Sequence, residues 1–168
     1  MAYEVFGMKL IPQQKTMSCW YASARMLIHW RMEKSQMSFA NLVPPELDEK
    51  CRKLRDANSG ITNPKIIEMA KRLGLVAIPP MSPTPLAIEN WLMSYGPLWV
   101  NGVKPIVVIA GIKKVGSSYK LLVYDPLPVN TGKVEWRDLT NWYAMGSSIS
   151  TRDTSASVET VFLHCPVP

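Results

Sequence analysis

The sequence predicts an α+β domain, and three observations carry that prediction. Before Gly96, four segments follow helical grammar, with a cap residue or a proline at the entry and apolar positions at helical spacing. After Gly96 the texture changes to short runs rich in β-branched residues, separated by turn signals. Third, no repeat or linker divides the 168 residues, a length that suits one domain with its own hydrophobic core. Helices first and antiparallel strands second, within one unit, is the α+β pattern. The expected organisation is a single domain over 1–168, with a helical half over about 18–96 and a sheet half over about 97–165.

Residues 1–17 read as an extended lead-in that ends in the polar stretch "QQKTMS". Ser18 then suits an N-cap, and "CWYASARMLIHWRMEK" runs helically, with apolar residues on almost every side. Such a helix belongs at the centre of a domain. "PPELDEKCRKLRDA" is a second, solvent-facing helix with proline at its entry. "TNPKIIEMAKRLG" is a third, with Asn63 as cap, Pro64 at the first helical position and Gly74 as stop. "TPLAIENWLMSYG" repeats the grammar with Thr84, Pro85 and Gly96. The strands follow in "PLWVNGVKPIVVIAGI", "KLLVYDP", "KVEWRDL" and "SVETVFLHC".

Composition narrows the function classes. Apolar residues make up 47% and charged residues 19%, an ordinary globular balance. No apolar run approaches the roughly 18 residues that cross a bilayer, and "MAYEVFGMKL" lacks the pattern of a classical signal peptide. The net charge of +6 is scattered among acidic residues, as in "EKCRKLRDA", so no basic stripe points to nucleic acid. Cys19, Cys51 and Cys165 form neither an even disulfide set nor a CxxC pattern. With only two histidines, His29 and His164, no metal site and no cofactor is expected.

The stretch "QQKTMSCWYASARM" carries the chemistry. A cysteine in the first turn of a helix has its thiolate favoured by unpaired backbone N–H groups and by the helix dipole. Gln13, six residues earlier, can fold back to offer a side-chain amide to an oxyanion beside the Cys19 N–H. The plainer reading is a small apolar residue in a core, with an incidental glutamine.

Here the sequence resembles the papain-like cysteine peptidases, especially the compact bacterial effector and toxin versions, in which Q-x5-C-W opens the central helix. Downstream, "GPLWV", a strand ending in "AGI" and then "LLVYDP" resemble the second half of that family. The resemblance implies a papain-like fold with Cys19 at the nucleophile position, Gln13 at the oxyanion position and Asp125 as the orienting acid, with Gln14 as a rival to Gln13. It also implies a protein substrate or partner, such as an immunity or host protein. Secretion, or delivery into a target cell without a classical signal peptide, follows by the same analogy. Asp125 also has a structural reading, because Asp-Pro is a common exit from a strand.

One position departs from the family. A histidine is expected at or near Pro105, ahead of "VVIAG", yet the chain reads "NGVKPIVVIAG". Proline carries no titratable side chain, and the reference pKa of Lys104, near 10.4, is far from that of a base working at neutral pH. His29 stands ten residues beyond Cys19 on one helix, about 15 Å along its axis. His164 reaches the vacant place if the closing strand pairs antiparallel with "KPIVVIAG"; otherwise it is an ordinary terminal-strand residue. Cys51 and Cys165 read as free thiols, and Trp91, Trp99, Trp136 and Trp142 as core and cleft packing.

Two functions from different classes follow. One is a cysteine hydrolase or acyl-transfer enzyme acting on a protein amide through Cys19, with His164 as the remaining candidate base. The other is a catalytically inactive papain-like domain that binds a protein through the former substrate cleft.

Overall fold

The computed structural model describes residues 1–34, 41–79, 83–101, 106–139 and 161–167. Lys104, Pro105 and Trp142 lie outside them. Strand β1 (Ala2–Glu4) leads through an extended segment to helix α1 (Cys19–Lys34). Helices α2 (Glu49–Asp56) and α3 (Asn63–Leu73), strand β2 (Val76–Ile78) and helix α4 (Pro85–Tyr95) follow. The remaining strands are β3 (Leu98–Val100), β4 (Val107–Val115), β5 (Ser118–Asp125), β6 (Lys133–Asp138) and β7 (Phe162–His164).

The α+β class is confirmed, and one antiparallel sheet organises the chain. Its order is β2-β7-β3-β4-β5-β6, and β1 also pairs with β4. The first residues of β4 pair with β3 and its later residues with β1, while β5 follows the other side. Two strands come from the first half of the sequence: β1 from the lead-in and β2 from "LVAIPP", where three residues were too short to signal a strand.

Alternate residues of the central strands face opposite layers. Trp99, Val108 and Leu163 pack with Trp20, Leu27 and Ile28 of α1 and with Met69 of α3. Leu98, Val100, Val107 and Ile109 pack with Ile88 and Leu92 of α4. The sheet is therefore covered on both faces, which explains its continuous apolar runs. Helix α1 is buried on nearly every side, as its composition predicts, and the Trp99 indole N–H donates to the Trp20 carbonyl at 3.1 Å.

The helix termini refine the expected caps. Ser18 precedes α1 and its carbonyl accepts from the Ala22 N–H, but its hydroxyl donates to the Lys15 carbonyl at 3.1 Å. Thr84 caps α4 through the Ala87 N–H at 3.1 Å, and Asp48 caps α2 through the Cys51 N–H at 3.1 Å. The cap of α3 is Thr62 rather than Asn63. Asn63 is already helical, and its side-chain oxygen accepts from Asn101 Nδ2 at 2.7 Å, which fixes α3 to the end of β3. Gly74 stops α3 in the left-handed region at φ 81°, where a Cβ would run into the Asn41 carbonyl.

Candidate active site

Cys19 is the first residue of α1, half-buried, at the end of the sheet where β4 begins. It lines a cleft of about 530 Å³ with Met17, Trp20, Ile61, Ile106 and Leu127. Burial pushes its thiol above the usual range, backbone N–H groups of Ile106 and Trp20 pull it back, and the Asp125 charge adds to the upward push. On balance the thiol is raised. Among the described residues the helix terminus thus supplies N–H groups but no cation, and burial outweighs them.

Asp125 ends β5. Continuing the register in which Val108 faces Tyr124 places it level with Val107, one residue from Ile106. It is near enough to act on the Cys19 thiol, but both of its oxygens are taken. Oδ1 accepts from the Leu127 N–H at 2.9 Å, and Oδ2 from Arg137 Nη2 at 2.6 Å. Arg137 also donates from Nε to Glu135 at 2.7 Å. Sequence reasoning missed Arg137; its signal was an arginine at alternate spacing from Glu135 in "KVEWRDL", on the strand that follows "LLVYDP".

Gln13 is buried between the same elements, its N–H donating to the Pro126 carbonyl at 3.1 Å. Its side-chain NH2 donates to the carbonyls of Lys15 at 2.7 Å and Thr16 at 3.0 Å. Both amide hydrogens therefore hold the loop before α1, and the buried Oε1 has no protein partner among the described residues. Gln14 borders a small recess with Gln13, Ser18 and Tyr21, not the Cys19 cleft.

Neither histidine reaches the sulfur. His29 Nε2 lies 2.6 Å from Glu46 Oε2, and Arg25 donates to the same oxygen at 3.2 Å. His164 is buried, with Nδ1–H donating to the Cys165 carbonyl at 2.7 Å and its ring stacked on Tyr95 at 3.9 Å between centroids. Burial holds its pKa below the usual value, against the pull of that carbonyl. The antiparallel pairing of β7 with β4, which would have brought His164 to the cleft, does not form. Strand β3 stands between them and pairs with both, so β7 runs in the same direction as β4. His164 is then level with Leu98 and Ile109. That places it about 10 Å along the strands from Ile106, and about 10 Å sideways across two strand spacings.

A central helix opening on a cysteine, packed on an antiparallel sheet whose β4 and β5 ends meet that cysteine, is the papain-like arrangement. The chain belongs to the family described as papain-like cysteine protease AvrRpt2, whose profile matches residues 4–151. Among solved structures it is similar to UfSP from C. elegans, with a TM-score of 0.60 and 13% identity, over 99% of this chain. That likeness concerns the fold, and the chain spans 35% of the length of that one. No curated protein matches the sequence.

Proposed function

We propose that this papain-like domain does not hydrolyse peptide bonds unaided, and that it binds a short segment of a protein partner in the cleft beside Cys19. One observation carries the reading: the chain has two histidines, and both are held by other partners away from the sulfur. Thiol proteolysis at neutral pH needs a group that takes the thiol proton and returns it to the leaving amine. Asp125 is bonded to Arg137, and the Gln13 amide is bonded to its own loop, which supports the same reading. The apolar lining from Met17, Ile61, Ile106 and Leu127 suits a peptide side chain. An immunity or host protein as the partner, met after delivery into another cell, belongs to this proposal.

A second reading, a hydrolase or acyl-transfer enzyme acting through Cys19, is favoured by the N–H groups of Ile106, Trp20 and Cys19 itself around the sulfur. Such groups also suit an oxyanion. Alkylation of Cys19 with iodoacetamide, followed against pH beside a peptide-hydrolysis assay, separates the two. The binding reading expects an alkylation onset at or above about 8.5, the range of an ordinary thiol, and no hydrolysis. Labelling that persists well below neutrality, together with hydrolysis lost in Cys19→Ala, is what the enzyme reading requires.

A further inference from the structure

We infer that the Cys19 cleft is one end of a longer groove whose other end selects carboxylates, so that the bound segment is an acidic peptide with an apolar residue beside Cys19. The inference rests on the peptide-binding reading above. A second cleft, of about 470 Å³, lies between α2 and α3. Both clefts are bordered by Trp20 and Ile61, so they adjoin. The Trp20 indole N–H donates to the Ser59 carbonyl at 2.9 Å and holds the backbone between them in place.

The two ends differ in charge. Among the described residues, no ionisable side chain except Cys19 lines the first cleft. The second has an apolar floor that includes Leu54 and Met69, and among the described residues its lining carries Lys50, Lys53, Lys65 and Arg72 against one carboxylate, Glu68. Arg72 is bonded to Asp48 at 3.1 Å, and Lys53 reaches back to Glu49 at 3.0 Å. Lys50 and Lys65, one on each helix, have no ion-pair partner among the described residues. Their ammonium groups are exposed, so they meet a ligand without losing an existing bond. Two exposed charge pairs formed with a peptide raise affinity by about tenfold at low salt, and salt screens them. An extended peptide also matches a groove with apolar pockets along a backbone track better than a duplex does, because the cations sit in a recess and form no stripe.

The experiment is selection of short random peptides, displayed on phage, against the whole chain at low salt. Selected sequences should be enriched in Asp and Glu to one side of an apolar residue. That enrichment should vanish for the Lys50→Gln/Lys53→Gln/Lys65→Gln variant and persist for Lys113→Gln/Lys114→Gln, which removes charge on the far part of β4. For one selected peptide, binding should fall about tenfold in the α2–α3 variant and in high salt, and should be blocked when Cys19 is alkylated. Selected peptides with no acidic bias would overturn the inference and leave the binding reading standing. Acidic peptides that bind equally to the alkylated protein would overturn it as well, since they occupy another surface. A single-stranded oligonucleotide that displaces the peptide and binds tighter would replace it with a general polyanion site. Failure to enrich any peptide would overturn the binding reading itself.

Discussion

Asp125 and Arg137 are joined by a 2.6 Å bond at the end of the sheet that carries Cys19, with Asp125 almost fully buried. In the arrangement the family resemblance implies, that carboxylate orients an imidazole. Here a guanidinium takes its outer oxygen and the Leu127 N–H takes the other. The consequences are measurable.

Removal of either partner should be unequal in effect. Arg137→Met leaves a buried carboxylate with one N–H donor and should cost about 3–5 kcal/mol in urea unfolding, the range for a broken buried pair. Asp125→Ala should cost less, because Glu135 still accepts from Arg137 Nε. The double variant should be more stable than the sum of the two losses implies. Equal and additive costs would show that the pair is not a coupled unit.

The three thiols should react in a fixed order. Cys19 is half-buried, whereas Cys51 and Cys165 are buried and each is pushed up to about 12, chiefly by burial. A disulfide reagent should therefore titrate one thiol in the folded protein and three after denaturation. For the buried pair the native state holds its protons above the ordinary value of 9.0, where the unfolded chain releases them. Their contribution is complete below pH 9 and is lost as pH rises toward 12. Stability measured from neutral to alkaline pH should fall less steeply in Cys51→Ala/Cys165→Ala than in the parent.

His164 should matter for stability and not for the thiol. His164→Ala removes the Tyr95 stack and the bond to the Cys165 carbonyl, a loss of about 1–3 kcal/mol. Its depressed pKa means the unfolded chain binds the proton more readily. The contribution of the ring is therefore present above pH 6.5 and is lost as pH falls below that value. The alkylation rate of Cys19 should be unchanged at every pH. A slower rate in His164→Ala would couple the ring to the sulfur and contradict the strand order that separates them.

An imidazole supplied at the mouth of β4 should change the thiol. Ile106 lines the cleft, and its backbone N–H faces Cys19. Ile106→His should move the onset of alkylation to lower pH, because an imidazolium beside a thiolate stabilises it. The shift should grow in Ile106→His/Arg137→Gln, where Asp125 is free to accept from the new ring. An onset identical to the parent in both variants would mean that the vacancy beside Cys19 is not at Ile106.

Much of the fold was legible in local chemistry. The burial of α1 follows from its all-round apolar composition, and the ends of α4 and the stop of α3 from Thr, Pro and Gly, because caps act over a few residues. The cap of α3 fell one residue before the expected Asn63. Cys19 at the head of a helix and Asp125 at the exit of a strand were legible for the same reason. Strands β1 and β2 were not, since three residues carry no period and their pairing comes from distant partners. The ends of the two histidines were also hidden. Whether His164 approaches Cys19 depends on which strand lies between β7 and β4, and strand order is a long-range property. The Arg137 bond to Asp125 belongs to the same class, as does the loop that occupies the Gln13 amide. By itself, the sequence determined which groups with chemical potential the chain carries and which helices present them. Only the tertiary structure decided which of those groups meet, because a hydrogen bond forms over about 3 Å and pairs residues that the chain separates.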